Sequence, residues 1–277
     1  MRVDAHHHLW DLAVRDQDWI DPVTMSAIRR DFGTADLIEA AAAFDRTVLV
    51  QTVTVAEETP ELLAIASATA RIGAVVGWVD LTSPTVADDL AMLRSGPGGE
   101  WLRGIRHQVQ GEADPRWLCR DDVQRGLKAV FDAGLLYELL VLPHQVAAAI
   151  ETVAAFQDFP FVLDHCAKPP VASGEVEPWA SSIRELAGFA NVTCKLSGLV
   201  TEADWTQWTV DDLRPYADVV LAAFSPERVM FGSDWPVCLL AGSYGRIVDA
   251  AEDLTSRLGQ GERDQVFGGT AQRVYRL

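Results

Sequence analysis

Short apolar, β-branched runs alternate with segments of helical period along the whole chain. The segments between the runs carry apolar residues three and four positions apart, as in Val123, Leu127 and Val130. Repeated alternation of this kind predicts βα units built around a parallel sheet. The predicted strands are Arg2–His6, Thr47–Val53, Ala74–Val79, Leu102–Gln108, Leu135–Val141, Phe161–His165, Val192–Ser197 and Val229–Ser233.

This pattern predicts an α/β protein with a single domain over residues 1–277, folded as a (β/α)8 TIM barrel. A barrel needs about 250 residues, which the 277 residues of this chain supply. The chain has neither a GxGxxG motif after the first strand nor a Walker glycine loop, so nothing favours a nucleotide site. Residues 9–33 form a long loop after the first strand. Loops of this length are usually functional, so we expect a lid or pocket wall that includes Trp10 and Trp19.

The charge balance narrows the class of partner. The chain has 23 Lys and Arg residues against 40 Asp and Glu, a formal net charge of −17. Such a field repels nucleic acid and anionic membrane surfaces. No apolar run approaches the roughly 20 residues needed to span a bilayer. We therefore expect a small-molecule ligand, no nucleic-acid partner and no membrane partner. The number of subunits stays open.

Cysteine usage points to a reducing compartment. Cys119, Cys166, Cys194 and Cys238 are widely separated, without CxxC spacing, and no N-terminal apolar segment indicates secretion. The sequence therefore predicts a cytoplasmic protein.

Polar residues cluster at the ends of three predicted strands, where barrel enzymes place their chemistry. His6 and His8 end the first strand on the same face, because side chains alternate along a strand. His165 ends the sixth strand, and Asp234 follows the eighth. Three imidazoles and a carboxylate form a ligand set for one divalent ion, with zinc favoured. The alternative is a set of structural histidines beside an Asp that caps a turn.

Three charged residues inside strands are predicted to face the barrel interior. Lys195 lies on the polar face of its strand, so we expect it in the barrel mouth, binding substrate oxygens or pairing with a carboxylate. A carboxylate facing the helices would be costly, so Glu138 should also face inward and pair with Lys195 or Arg106. Arg106 shares its face with Gly104, which suits a crowded interior. His107 follows Arg106; its direction is open, and we keep it as a candidate for substrate binding.

Further substrate-binding candidates lie beside these strand ends. Lys168 follows His165 by three residues and is either a pocket cation or a solvated loop lysine. Gln51, Trp10 and Trp235 are additional candidates for the pocket.

Several motifs spread over residues 4–271 carry a family resemblance. They are Asp4-Ala5-His6-His7-His8-Leu9-Trp10, Arg103-Gly104-Ile105-Arg106-His107, Val162-Leu163-Asp164-His165-Cys166-Ala167-Lys168-Pro169-Pro170, Cys194-Lys195-Leu196-Ser197-Gly198, Phe231-Gly232-Ser233-Asp234-Trp235-Pro236 and Gly268-Gly269-Thr270-Ala271. In these motifs the chain resembles the amidohydrolase superfamily, specifically the sugar-lactonase branch that contains L-fuconolactonase, L-rhamnonolactonase and 2-pyrone-4,6-dicarboxylate lactonase.

The resemblance implies a (β/α)8 fold and hydrolysis of a small cyclic ester. Asp234 matches the general base of the family, and His6, His8 and His165 match its histidine cluster. The carboxylated lysine of binuclear relatives has no evident counterpart, so the sequence supports at most one ion, and a metal-independent reaction stays open. Glu138 stands where the family often has Asp, which preserves the charge.

The leading hypothesis is a lactonase, a carboxylic-ester hydrolase. Asp234 would take a proton from water, which attacks the lactone carbonyl while a metal ion or the histidine cluster, with His165 as a catalytic member, polarises that carbonyl. Arg106, Lys195 and Glu138 would hold ring hydroxyls or a carboxylate. One alternative is a metal-dependent decarboxylase of a small unsaturated dicarboxylate on the same barrel. Another is a catalytically silent barrel that binds a small molecule.

Overall fold

The computed structural model describes residues 1–277 and contains one eight-stranded parallel sheet. Each strand pairs with the next one in chain order, from β1 to β8. The strands are β1 (Val3–His7), β2 (Arg46–Val50), β3 (Ile72–Gly77), β4 (Leu102–His107), β5 (Leu136–Leu139), β6 (Phe161–Leu163), β7 (Val192–Leu196) and β8 (Val229–Phe231). The chain after β8 closes the circle, because the Asp234 amide donates to the His6 carbonyl at 2.9 Å and the His8 amide to the Trp235 carbonyl at 2.7 Å. The predicted (β/α)8 TIM barrel is confirmed.

Helices separate the strands and form the outer layer. They are α1 (Thr34–Ala40), α2 (Glu58–Ala68), α3 (Val86–Ser95), α4 (Asp121–Asp132), α5 (Val146–Ala155), α6 (Trp179–Ala187), α7 (Val210–Phe224), α8 (Tyr244–Leu254), α9 (Gln260–Asp264) and α10 (Thr270–Tyr275). Their apolar residues pack against the outer face of the strands in a single large cluster. None of the helices is both long and apolar enough to cross a bilayer.

Five strands end two or three residues earlier than the sequence predicts. The structure ends β2 at Val50, β3 at Gly77, β5 at Leu139, β6 at Leu163 and β8 at Phe231. After β6 and β8 the chain leaves the extended conformation, since His165 has φ 50° and Asp234 has φ 56°. At β6 and β8 the predicted strand ends are therefore wrong because the backbone turns there to aim polar side chains inward.

The C-terminal helix α10 plugs the barrel at the end where the strands begin. Tyr275 and Ala271 belong to a buried cluster that otherwise consists of strand residues such as Val3, Val48 and Val162. These small and branched side chains fill the barrel interior, as expected for a packed barrel floor. The opposite end, where the strands finish, therefore holds the accessible cavity.

The long loop of residues 9–33 is fastened back onto the barrel. Trp10 and Phe32 form an antiparallel bridge, and the Trp10 indole nitrogen donates to the Arg30 carbonyl at 2.7 Å. The Trp10 ring contacts Trp19 edge to face, with ring centroids 5.7 Å apart. The loop thus forms an ordered wall beside the mouth of the barrel.

Candidate active site

A cavity of about 270 Å³ opens at the carboxyl ends of the strands. Residues from the long loop, the strand ends and the turns after β4, β6, β7 and β8 line it. They are His8, Trp19, Met25, Thr52, Arg106, Gln108, Gln110, Leu140, His165, Lys168, Thr201, Glu202, Trp205, Asp234, Val237 and Leu240. The cavity therefore lies where the strand-end polar residues were predicted to meet.

Three imidazoles converge on the Asp234 carboxylate, which lines this cavity together with His8 and His165. The Asp234 Oδ1 atom lies 3.5 Å from His8 Nε2, 3.7 Å from His6 Nε2 and 3.9 Å from His165 Nε2. The Nε2 atoms of His6 and His8 are 3.1 Å apart. The four side chains predicted from the strand ends are thus brought to one point.

Hydrogen bonds to the outer ring nitrogens hold two of these imidazoles. His8 Nδ1 lies 2.8 Å from the Val50 carbonyl oxygen, which can only accept, so Nδ1 carries the proton and Nε2 presents its lone pair to the cavity. His165 Nδ1 lies 2.9 Å from the Ser197 hydroxyl. Fixed rings of this kind are typical of ligands and of catalytic histidines.

Left-handed backbone at two strand ends aims the site residues. His165, Cys166, Ala167 and Lys168 have φ between 50° and 56°, and Asp234 also lies in this region. Each non-glycine residue there costs roughly 1 kcal/mol or more. The turn after β6 is stabilised by the Trp179 indole nitrogen, which donates to the Cys166 carbonyl at 2.8 Å. Strain that the surrounding contacts sustain in this way is typical of functional sites.

A second buried carboxylate, Asp4, fixes the turn that carries Asp234. Asp4 accepts hydrogen bonds from the Ser233 amide at 2.8 Å, the Ser233 hydroxyl at 2.6 Å and the Tyr244 hydroxyl at 3.0 Å. Burial raises the pKa of Asp4, although these donors oppose the shift. Our sequence analysis gave Asp4 no role; its place two residues before His6 was the available signal.

The protonation states suit base chemistry at Asp234. Burial acts to raise the pKa of Asp234, but the neighbouring imidazoles of His165 and His8 outweigh it, so the pKa lies below its ordinary value. Burial lowers the pKa of His165 to about 4, against the attraction of Asp234. Burial and the Lys195 ammonium lower the pKa of His6 well below its usual range. Near pH 7 the site holds an ionised carboxylate and neutral His6 and His165.

The donor atoms at this point fit one divalent ion. His6, His165 and Asp234 offer two imidazole nitrogens and a carboxylate oxygen within 4.8 Å of one another, and all three residues are buried. With His8 Nε2 beside them, the set is the mixture of nitrogen and oxygen ligands that zinc and similar ions take.

A second group of potential ligands lies deeper in the barrel, and Lys195 occupies it. His6, Glu138 and Asp164 also lie within 4.8 Å of one another. The Lys195 ammonium is 2.6 Å from Glu138 Oε2, 3.1 Å from Asp164 Oδ1 and 3.0 Å from His6 Nδ1. Because this cation already neutralises the group, the site as a whole suits a single ion.

The predicted inward-facing charges form a buried layer beneath the cavity. Glu138 faces inward and pairs with Lys195 as predicted, and it also accepts a hydrogen bond from Tyr275. Arg106 faces inward and lies 3.0 Å from Asp164 Oδ2. A Cβ at Gly104 would lie 2.5 Å from Leu136 Cδ1, so the interior is as crowded there as expected.

Opposite pKa shifts mark the two carboxylates of this layer. Burial and the nearby Asp164 charge raise the pKa of Glu138 to about 7, against the attraction of Lys195. Burial also opposes ionisation of Asp164, yet Lys195 and His6 hold its pKa well below the usual range. Asp164 is therefore the stable negative charge of the layer. In the sequence analysis Asp164 is named only within a motif and is given no role, although it contacts both buried cations.

Comparisons with known proteins identify the family of this chain. The amidohydrolase family model matches residues 3–277. The chain belongs to the amidohydrolase family. It is 40% identical to L-fucono-1,5-lactonase of Burkholderia ambifaria over 282 residues, covering 100% of this chain and 96% of that protein. L-fucono-1,5-lactonase of Burkholderia multivorans is 40% identical over 290 residues, again with 100% and 96% coverage.

A solved structure shows the same architecture. The crystal structure of an amidohydrolase from Burkholderia multivorans with bound Zn matches with a TM-score of 0.93 and 39% identity, covering 100% of this chain and 99% of that chain. The resemblance to the amidohydrolase superfamily that the motifs indicated is confirmed.

Several predicted site residues of this amidohydrolase lie outside the cavity lining. Lys195 and Glu138 are fully buried in the layer below. Gln51 is buried as well, and its side-chain oxygen accepts a hydrogen bond from Arg106 Nη2 at 2.8 Å. Trp235 packs edge to face on Phe32 with ring centroids 5.3 Å apart. Trp10 is held by the same loop and does not line the cavity either.

His107 points away from the cavity, toward a separate aromatic cluster. Its Nδ1 accepts a hydrogen bond from the Trp78 indole at 3.0 Å, and its Nε2 lies 2.8 Å from Glu112. Its ring stacks on Trp117 with centroids 4.1 Å apart. The alternation along β4 explains this placement, since Arg106 takes the inward direction.

Lys168 is the loop candidate that does line the cavity, and its ammonium lies 2.5 Å from Glu202. Sequence analysis missed Glu202 and most of the wall residues. Trp205, Gln108 and Gln110 belong to this group. They lie on or beside turns, where no periodic pattern indicates which side chain faces a cavity.

Proposed function

We propose that this amidohydrolase is a carboxylic-ester hydrolase that opens a sugar lactone, with Asp234 as the general base. One observation carries the proposal: an ionised, buried carboxylate lies among three imidazoles on the wall of a cavity sized for a small molecule. Two L-fucono-1,5-lactonases that are 40% identical over the full length of this chain support this reaction class and make L-fucono-1,5-lactone the first substrate to test.

Asp234 would start the reaction by taking a proton from a water molecule. The water oxygen attacks the lactone carbonyl carbon, and negative charge develops on the carbonyl oxygen. The ring C–O bond then breaks, and Asp234 returns the proton to the leaving alkoxide. The product is the open hydroxy acid. The lowered pKa of Asp234 ensures that the carboxylate is ionised at neutral pH and able to accept the proton.

His6, His8 and His165 would orient Asp234, and His8 and His165, which line the cavity, would face the carbonyl oxygen. We propose that the same three imidazoles and Asp234 hold at most one divalent ion, with zinc favoured by the donor set. When bound, such an ion would supply electrophilic polarisation of the carbonyl. The reaction without an ion stays within the proposal, because the imidazoles remain beside the carboxylate.

The experiment is hydrolysis of a panel of aldonolactones, followed by a pH indicator, with protein prepared with and without chelator. We expect acid release from a sugar lactone, with L-fucono-1,5-lactone among the substrates. Comparing the rates of the two preparations shows separately whether the reaction needs a metal ion. Release of CO₂ from an unsaturated dicarboxylate, with no acid from any lactone, would contradict the proposal in favour of a decarboxylase. Thermal stabilisation by lactones without turnover would contradict it in favour of a binding protein.

A further inference from the structure

The charged residues that line the cavity are nearly all committed to partners. Four of the lining residues are Arg, Lys, Asp or Glu: Arg106, Lys168, Glu202 and Asp234. The Arg106 side chain is only 3% exposed and is paired with Asp164. Lys168 is therefore the lining cation whose side chain is partly exposed, and its ammonium lies 2.5 Å from Glu202, with side-chain exposures of 19% and 23%.

The backbone places this pair beside the catalytic residues. Lys168 ends the left-handed turn that begins at His165, and its amide donates to the His165 carbonyl at 2.8 Å. Glu202 lies in the short 3₁₀ turn Val200–Glu202 that follows β7. A Cβ at Gly198, just before that turn, would lie 2.7 Å from the His165 ring. Both turns therefore pack around His165, which fixes the pair relative to Asp234.

The pair has hydrogen-bonding capacity to spare. An ammonium has three donors, of which Glu202 uses one, and the carboxylate retains several acceptor positions. Neighbouring hydroxyls on a sugar ring can donate to Glu202 and accept from Lys168 at once. A carboxylate on the ring would instead meet Glu202 as a like charge, with no free cation in the lining to receive it.

We propose that the Lys168–Glu202 pair is the specificity determinant of this site: it binds the hydroxyls of a neutral lactone ring and excludes lactones that carry carboxylates. This inference rests on the proposed lactonase function. It goes further by naming the two residues that select a neutral hydroxylated ring over one that carries carboxylates.

The test measures hydrolysis of L-fucono-1,5-lactone by the variants Glu202→Gln and Lys168→Met. Two competing ligands are added to measure their inhibition constants. The competitors are δ-valerolactone, which has no hydroxyls, and 2-pyrone-4,6-dicarboxylate. We expect both variants to raise KM for the substrate by about tenfold or more with kcat changed less than about threefold, as for loss of ground-state hydrogen bonds. The inhibition constant of δ-valerolactone should change far less than KM.

The dicarboxylate gives the sharpest readout, because a structural defect cannot improve its binding. In Glu202→Gln the ammonium of Lys168 loses its partner, so the inhibition constant of the dicarboxylate should fall by about tenfold. In Lys168→Met it should stay the same or rise. Matched controls are Glu151→Gln and Lys128→Met, which break exposed ion pairs on the helical layer and should leave every constant unchanged.

Three outcomes would overturn the inference. Equal losses for the substrate and δ-valerolactone would indicate general damage to the site. An unchanged inhibition constant for the dicarboxylate in Glu202→Gln would show that the pair does not set charge selectivity. If either variant fails to fold, the double variant Lys168→Glu with Glu202→Lys replaces it, because it keeps an ion pair at this position. A double variant that does not prefer neutral ligands would contradict the proposal. Unmodified protein that opens no lactone contradicts the proposed function itself, and this inference with it.

Discussion

Two charged layers lie one above the other in the barrel, and their surroundings differ. In the upper layer, Asp234 and His165 line the cavity. In the lower layer, Lys195, Glu138 and Asp164 have no exposed side-chain area. Both layers come from residues at or near strand ends. The depth of a side chain in the barrel therefore separates a group that can meet substrate from one that cannot.

The two layers also differ in how closely their charges are paired. Lys195 lies within 3.1 Å of two carboxylate oxygens, whereas the imidazoles around Asp234 stay 3.5 to 3.9 Å from its oxygen. The charges of the lower layer are closely paired with one another, so this layer orients His6 and the strands. The upper layer leaves Asp234 free to take a proton, which is what a general base requires.

The largest expected effect comes from removing the base of the upper layer. Asp234→Asn should lower kcat on a hydrolysed lactone by about 10³-fold, in the range for loss of a general base, while the melting temperature stays close to that of the unmodified protein. Steady-state kinetics and thermal unfolding measure the two effects. The exposed Asp211 provides the control exchange, Asp211→Asn. A near-normal kcat in Asp234→Asn would contradict the claim that the upper layer supplies the general base.

Removing the cation of the lower layer should mainly reduce the stability of the fold. Lys195→Met leaves Glu138 and Asp164 buried without their shared cation, and we expect the free energy of unfolding to fall by about 3–5 kcal/mol. The double variant Lys195→Met with Glu138→Leu should recover part of that loss, because it removes a charge from each side. Urea unfolding followed by circular dichroism measures both. If Lys195→Met is as stable as the surface variant Lys128→Met, the lower layer is not a structural network.

The pH dependence of stability tests the burial of a histidine outside both layers. His7 is fully buried, neither of its ring nitrogens has a hydrogen-bond partner, and burial lowers its pKa to about 3. The unfolded chain takes up this proton as the pH falls below about 6.5 and the folded chain does not, so folding loses stability between pH 7 and pH 4.5, by about 2–3 kcal/mol from this group.

His7→Phe removes that contribution, so its unfolding free energy should fall less steeply over the same pH range. Urea unfolding at several pH values gives the slope of the unfolding free energy against pH for the unmodified protein and for His7→Phe. The prediction concerns the difference between these two slopes. Parallel slopes would contradict the burial of a neutral His7.

The smallest effect is expected from the aromatic cluster on the outer side of β4. His107→Phe loses the hydrogen bonds to Trp78 and Glu112 but keeps the stacked ring on Trp117. We expect a loss of about 1–2 kcal/mol in stability and a change in kcat/KM of less than about threefold. A tenfold rise in KM with unchanged stability would place His107 in the substrate site after all.

The fold and the centre of the site follow from regular features of the sequence. Repeated βα periodicity determines the barrel, and the barrel brings its strand ends together, so His6, His8, His165 and Asp234 can be grouped from the sequence alone. The inward direction of Arg106, Glu138 and Lys195 also followed, because a charge on the helix-facing side would be costly.

The rest depended on depth and on irregular backbone. Alternation gives the side of a strand but not the level at which the cavity floor lies, so Lys195 was expected in the mouth and lies beneath it. The left-handed turn from His165 to Lys168 contains no glycine, the residue that usually indicates such backbone in a sequence. Glu202 reaches the cavity from a turn whose path no periodic pattern describes.

The most direct test of the account is a crystal structure of Asp234→Asn with unhydrolysed L-fucono-1,5-lactone. We predict the lactone carbonyl carbon within roughly 4 Å of the side chain at position 234, a separation that leaves room for a water in line for attack, and the ring hydroxyls on Lys168 and Glu202. A lactone bound instead in the groove of about 660 Å³ beside Trp78 and Met92, with the cavity at Asp234 holding none, would contradict the assignment of the active site.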